Sequence, residues 1–293
     1  MKRTLLLLLA PLFIISCVGT RKVNNSKNKL NSLDSQLVSY NKDLENLDKL
    51  RKEKEAKNQL DDTASIRIKK FIDKTAMHID TLIDKNEVLV NGTKINRNDW
   101  NQLNIAVINT QAATQTISRR IVFLDDLLKR NLVVKLDQDV LFQPGSFSLS
   151  PEVVSNIGKL FEPAAVEIDK FSAKYPDFPL SLIITAKGYA DGTSISEGSG
   201  LYNKLKERMK LSNATPDAPA LNKELSRARA EEVKNLFKQY ADSRNDNGIY
   251  KRNILYVYEG KGDALPNPDV KDYKIDDPRR RVVLLFWSIF PDL

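Results

Sequence analysis

Apolar side chains recur at Leu30, Leu33, Leu37, Tyr40, Leu44 and Leu47, with Lys, Asp, Glu, Asn and Ser between them. Alternating steps of three and four put these residues on one helical seam, the a/d pattern of a coiled coil. Arg51 breaks the next a position. The seam has two readings, oligomerisation through residues 30–60 or packing on another helix of the same chain. A second helix is expected over Ser65–Lys85, with Ile68, Phe71, Ile72, Ile79, Leu82 and Ile83 on one face. Val88 to Ile95, with Asn91-Gly92 at its centre, predicts a small hairpin near 88–95. Asn98 or Asp99 then caps a helix to about Arg130. Leu103, Val107, Ile108, Ile117, Ile121, Leu124 and Leu128 mark its apolar face.

Beyond residue 130 the pattern changes. Asn131 to Phe142 alternates and is rich in β-branched residues, as a strand would be. Ser150-Pro151 starts a helix well, with Ser at the cap and Pro at the first helical position. Pro163 is expected to divide or kink that helix before its end near Lys174. Leu180–Lys187 reads as a strand, Asn222–Tyr240 as a helix, and Asn253–Glu259 and Arg281–Ile289 as strands. The order is β-α-β-α-β-β, and long crossovers imply some parallel pairing. The fold class is therefore α+β: a helical, partly coiled-coil arm at 30–130, then a mixed domain at 131–293.

Proline and glycine sharpen the division. Of 12 Pro, none lies between Pro11 and Pro144, and Gly19 and Gly92 are the glycines of that interval. With 1 Cys and 1 His in 293 residues, a disulfide framework and multi-His or Cys-based metal sites are excluded. His78 is expected to be structural or solvent-facing. The net charge of +8 permits nucleic-acid binding. No zinc finger, aromatic RNA-binding signature or phosphate-cradling Gly loop accompanies it, so no nucleic-acid partner is expected.

Met1-Lys2-Arg3 precedes an uncharged run from Thr4 to Ser16 dominated by Leu and Ile. The run falls short of the roughly 20 apolar residues of a spanning helix and fits an export signal at 1–16. Ile14-Ile15-Ser16-Cys17 resembles a bacterial lipobox, although Ile15 stands where a small residue is usual. The alternative is an ordinary signal with an incidental Cys. The resemblance implies lipidation of Cys17 and anchoring in outer-membrane lipid facing the periplasm; the polar run at 20–29 predicts a flexible tether over 17–29.

Several blocks in order resemble the OmpA-like peptidoglycan-binding domain. Val140-Leu141-Phe142 with Ser146 and Leu149 resembles its opening motif, and Gly188-Tyr189-Ala190-Asp191 its "G-H-T-D". Asn222, Leu225-Ser226, Arg229-Ala230 and Val233 follow its "N-x-x-L-S-x-x-R-A-x-x-V". Gly260-x-Gly262-Asp263-x-x-Pro266 and Arg280-Arg281-Val282 resemble the closing blocks. The resemblance implies that Asp191 takes the ammonium and Arg229 the carboxylate of a stem-peptide diamino acid, with Asn222 and Leu225 lining or ordering the site. A planar guanidinium suits a carboxylate because it can bind it through two hydrogen bonds. Taken singly, Asp191 reads as a turn residue before Gly192, and Arg229 as a solvated helix position. Tyr189 and Ala190 depart from the motif, and 192–221 is an insert. The expected function is a non-enzymatic outer-membrane tether that binds peptidoglycan without a cofactor. The alternative is a component of a motor, secretion or motility complex, with the arm binding homo-oligomeric or envelope protein partners through 30–60. No Ser-His-Asp or Cys-His set can be assembled with His78 in the arm and Cys17 at the anchor.

Overall fold

A computed structural model describes residues 19–291 apart from 131, 144, 177, 179, 212–213 and 245–252. Cys17 and the expected export signal lie outside the described residues. Three long helices come first: α1 (Thr20–Ala56), α2 (Asp62–Gly92) and α3 (Arg97–Lys129). None of the described helices is long and apolar enough to cross a membrane. The chain forms two compact units, one from the segment up to Leu44 with Lys74–Ile121, the other from Glu45–Asp73 with Val122 onward.

In the first unit the heptad seam is used within the chain. Val23 and Leu30 form a core cluster with Leu103 and Val107, against which Leu89, Val90 and Trp100 pack. Leu37 and Leu44 are also buried. The helix begins at Thr20, so residues 20–29 are not a flexible tether: Val23 extends the seam by one heptad and is buried with it. The hairpin expected near 88–95 does not form either. Val88, Leu89 and Val90 continue α2, because Leu89 and Val90 repeat the helical face already set by Ile79 and pack on the same cluster. Asn91-Gly92 ends a helix instead of turning a hairpin. Asn96 caps α3 in place of Asn98 or Asp99: its Oδ1 accepts from the Asp99 amide at 2.8 Å. Ile108 is exposed, and the stripe on α3 runs instead through buried Thr110 and Thr114. Thr110 donates to Asn86 at 3.0 Å, and the Asn86 amide donates to Asp34 at 2.6 Å. His78 is exposed on α2.

In the second unit, Arg51 occupies a buried a position and is satisfied there. It bonds Asp48 at 2.8 Å, Glu55 at 2.9 Å and Ser65. The remaining elements are β1 (Val133–Asp137), α4 (Gln138–Leu141), α5 (Pro151–Ser155), α6 (Ile157–Lys174), β2 (Leu180–Gly188), α7 (Gly200–Arg208), α8 (Ala218–Ser243), β3 (Ile254–Gly260) and β4 (Val282–Pro291). The sheet order is β1-β4-β2-β3. β4 is antiparallel to β1 and β2, and β2 is parallel to β3, with Gly188 opposite Gly260. This mixed sheet with its helices is the α+β class expected from the pattern.

Two boundaries differ for local reasons. The first strand stops at Asp137, whose carboxylate accepts from the Asp139 amide and opens the short α4. The helix after Ser150 breaks at Asn156, between α5 and α6, while Pro163 sits inside α6. Ser150 caps α5 as expected, accepting from the Val153 amide. Phe161 meets Phe237 edge-to-face at 5.0 Å between ring centres, joining α6 to α8.

α8 lies against the sheet at unusually close range. A Cβ at Gly188 would stand 2.0 Å from the Ser226 carbonyl oxygen, and one at Gly260 would stand 2.3 Å from the Lys223 carbonyl oxygen. Both glycines are therefore fixed by proximity of backbones. They bring the ends of β2 and β3 beside the first turns of α8, which is where the candidate site forms.

Candidate functional site

Asp191, Asn222, Leu225 and Arg229 line one cavity of about 540 Å³, together with Arg281 and residues of the 192–221 insert. One of these four follows the end of β2 and three come from successive turns of α8. Asn222 to Leu225 to Arg229 is an i, i+3, i+7 series, so all three share one helix face. Among the charged side chains lining the cavity, Asp191 is anionic and Arg229 and Arg281 are cationic.

Asp191 directly follows the close approach at Gly188. Its Oδ1 accepts from the Thr193 amide at 3.1 Å and from the Thr193 hydroxyl. Its Oδ2 accepts from Arg281 Nη1 at 3.1 Å. Burial opposes ionisation of this carboxyl, but the bonds from Thr193 and Arg281 together outweigh it and hold its pKa below the ordinary value. Asp191 is therefore a carboxylate at neutral pH. Asn222 is buried, and its amide donates to the backbone oxygens of Asp191 at 3.3 Å and Thr193 at 3.2 Å. It orders the turn that carries the carboxylate.

Arg229 is not a solvated helix position; 9% of it is exposed. Its Nε and Nη2 donate to the Ser146 carbonyl at 3.1 and 3.0 Å, and Nη1 donates to Gln138 Oε1. The guanidinium carbon lies 5.4 Å from the centre of the Phe142 ring. Burial lowers its pKa to about 10, partly offset by Asp139 and Asp191, and it remains a cation at neutral pH. These bonds engage three of its five N–H groups, and the side chain lines the cavity.

Three residues that the sequence did not assign to the site complete the arrangement. Gln138 donates to the Tyr189 and Val282 carbonyls at 2.7 and 2.9 Å while accepting from Arg229. Ser146 supplies a backbone oxygen, which no side-chain pattern reveals. Arg281 lies within the quoted Arg280-Arg281-Val282 block and holds Asp139 at 2.7 Å as well as Asp191. Its neighbour Arg280 has another job, donating to the carbonyls of Asp263, Lys274 and Ile275 and so tying down the loop after β3. Ser226 accepts from the Gly262 amide at 2.9 Å, and the Gly262 oxygen accepts from Ala190 at 2.7 Å.

The described residues of the insert pack around the cavity. Ser199 caps α7, Tyr202 and Leu205 are buried against Leu221 and Leu225, and Ile195 and Leu201 pack beside them. Arg208 bonds Glu224 at 3.0 Å and Glu231 at 2.7 Å. The end of the insert, from Ala218, is already the first turn of α8, capped by Asp217. The cavity thus offers an anion and two cations at fixed positions beside an uncharged wall. Chemically it suits a ligand carrying both an ammonium and a carboxylate. No protein-family model, curated protein or solved structure matches this chain.

Proposed function

We propose that the chain is an outer-membrane lipoprotein whose C-terminal domain, of the OmpA-like peptidoglycan-binding kind, holds the cell wall noncovalently. Cys17 carries the acyl chains, and the helical segments stand between anchor and wall. Multiple chains give stable anchoring where a single chain is marginal. In the site, Asp191 receives the ammonium of the stem-peptide diamino acid and Arg229 its carboxylate, while Asn222 holds the Asp191 turn and Leu225 supplies apolar lining.

The observation that carries this reading is the convergence of Asp191 and Arg229 on a single cavity. Both are ionised at neutral pH, Asp191 favoured by its hydrogen-bond donors and Arg229 despite its burial, and both retain hydrogen-bonding capacity. Binding by preformed charges costs little reorganisation, which favours a permanent tether over a transient contact. The site lining contains neither histidine nor cysteine, and the proposed action requires no covalent chemistry.

Calorimetric titration of the purified protein with a soluble wall tripeptide ending in a diamino dicarboxylic acid tests the reading. Wild type is expected to bind, and Asp191→Ala and Arg229→Ala to lose more than about tenfold in affinity, the scale of removing one partner of a desolvated charge pair. A wild-type protein that does not bind the tripeptide would sink the proposal.

A further inference from the structure

The lining of the cavity divides by chemistry. The charges come from the end of β2, from α8 and from the start of β4. The insert contributes uncharged side chains, Thr193, Ser194, Ile195, Ser196, Ser199 and Leu201. These are small hydroxyl-bearing residues interleaved with two aliphatic ones. Ile195 and Leu201 are half-buried: each packs on the Tyr202, Leu205, Leu221 and Leu225 cluster and also lines the cavity.

This wall is held in place before any ligand arrives. Asn222 fixes its start through the Asp191 and Thr193 carbonyls. Ser199 accepts from the Tyr202 amide at 3.1 Å and sets the beginning of α7. Arg208, clamped by Glu224 and Glu231, fixes its end. Such preorganisation makes a wall able to discriminate between ligands.

The cavity is also larger than the charged end needs. Its 540 Å³ corresponds to roughly 18 water-sized groups at about 30 Å³ each. A single diamino dicarboxylic acid has fewer heavy atoms than that, and bonded atoms pack more tightly than waters. Space remains for a neighbouring residue. Two residues flank the diamino acid in a wall stem peptide: a glutamate, bearing a free carboxylate, and a D-alanine, small and with a methyl side chain. The insert's lining offers no cation to the first, and its aliphatic pair with small hydroxyls suits the second.

We infer that the 192–221 insert is a specificity element that reads the D-alanine attached to the diamino acid, with Ile195 and Leu201 contacting its methyl group and the Thr193–Ser196 segment its peptide. This rests on the wall-peptide reading proposed above. The site would then favour stem peptides that still carry the fourth residue over those trimmed back to the diamino acid.

The test compares the same wall tripeptide with its D-alanine-extended tetrapeptide on the purified full chain. Wild type is expected to bind the tetrapeptide about tenfold more tightly, the size of effect that a small apolar group has in a fitted pocket. In the double variant Ile195→Ser, Leu201→Ser the ratio falls to near one while tripeptide affinity is kept, which also shows that the charged end remains folded. A second variant, Ile195→Trp, fills the space and is expected to reject the tetrapeptide and still admit the tripeptide. Equal wild-type affinity for the two peptides, or a preference unchanged in both variants, overturns the inference and leaves the charge-pair reading standing. Failure of either peptide to bind wild type refutes the charge-pair reading itself, and the inference with it.

Discussion

At the scale of single residues, the site depends on positions that hold backbone as much as on those that carry charge. Gly188 is the clearest. An added methyl there meets the Ser226 carbonyl oxygen at 2.0 Å, and backbone on both sides leaves little room for relief. Gly188→Ala is expected to destabilise the second unit by at least about 1–3 kcal/mol, read as a drop of several degrees in its melting temperature. An unchanged melting curve would mean that α8 does not sit as close to β2 as described. Asp191 carries a pH signature. Its folded pKa lies below the ordinary carboxylate value, so the unfolded chain binds more protons in that window, and stability rises with pH there. The contribution is fully present above about pH 5 and is lost as pH falls through the folded value. Asp191→Asn should therefore differ from wild type by a constant stability above that pH, with the gap closing under acid; a gap independent of pH would contradict the assignment. Asp191, Asn222, Leu225 and Arg229 were legible in the sequence through the resemblance alone, whose Gly-Tyr-Ala-Asp and α8 blocks are short and local. Gln138 and Ser146 were not. They reach Arg229 across 91 and 83 residues of chain, and one of them acts through a carbonyl that every residue type possesses.

At the scale of elements, period decided most of the structure, and polar exceptions decided the rest. The a/d seam foretold a helix and a buried face but left the partner open; Leu37, with 0% exposure, is packed within this chain. Leu37→Ala is expected to cost about 2–5 kcal/mol of stability in a denaturation experiment while leaving the sedimentation coefficient of the folded protein unchanged. A change in association state without loss of stability would instead assign the seam to an intermolecular contact. The hairpin expected at 88–95 failed because Asn-Gly suits both a tight turn and a helix end, and the apolar residues before it satisfied the helical period equally well. Pro163 does not divide the helix: it lies inside α6, and the break falls earlier, at Asn156. The buried Thr110, Thr114 and Asn86 were invisible to a search for apolar stripes, since their burial depends on hydrogen bonds to one another and to Asp34. The insert shows the same limit: the sequence marked it only as an interruption of the motif order, while its helix is held by Tyr202, Leu205 and Arg208. Leu205→Ala should raise amide exchange across residues 193–211 and leave the β2 amides protected. Equal loosening of both would mean that the insert and the sheet open together.

At the scale of the whole molecule, composition separated a Pro-free helical stretch from a mixed α+β stretch, and the described chain is indeed helical before residue 130 and mixed after it. The division into compact units runs elsewhere, because residues 45–73 pack with the sheet-bearing segment. Long-range contacts such as the ion pair of Lys187 with Asp62 at 3.1 Å and the hydrogen bond from the Asn58 side-chain amide to the Pro266 carbonyl at 3.1 Å make that association. Neither is written in local periodicity. The central claim is that this chain grips the cell wall through one carboxylate and one guanidinium. Its most direct test is sedimentation of the purified full chain with isolated peptidoglycan sacculi. The account predicts that wild type pellets with the sacculi, that excess free diamino dicarboxylic acid releases it, and that Asp191→Ala and Arg229→Ala stay in the supernatant. Wild-type protein remaining in the supernatant, or both variants pelleting as wild type does, would contradict it.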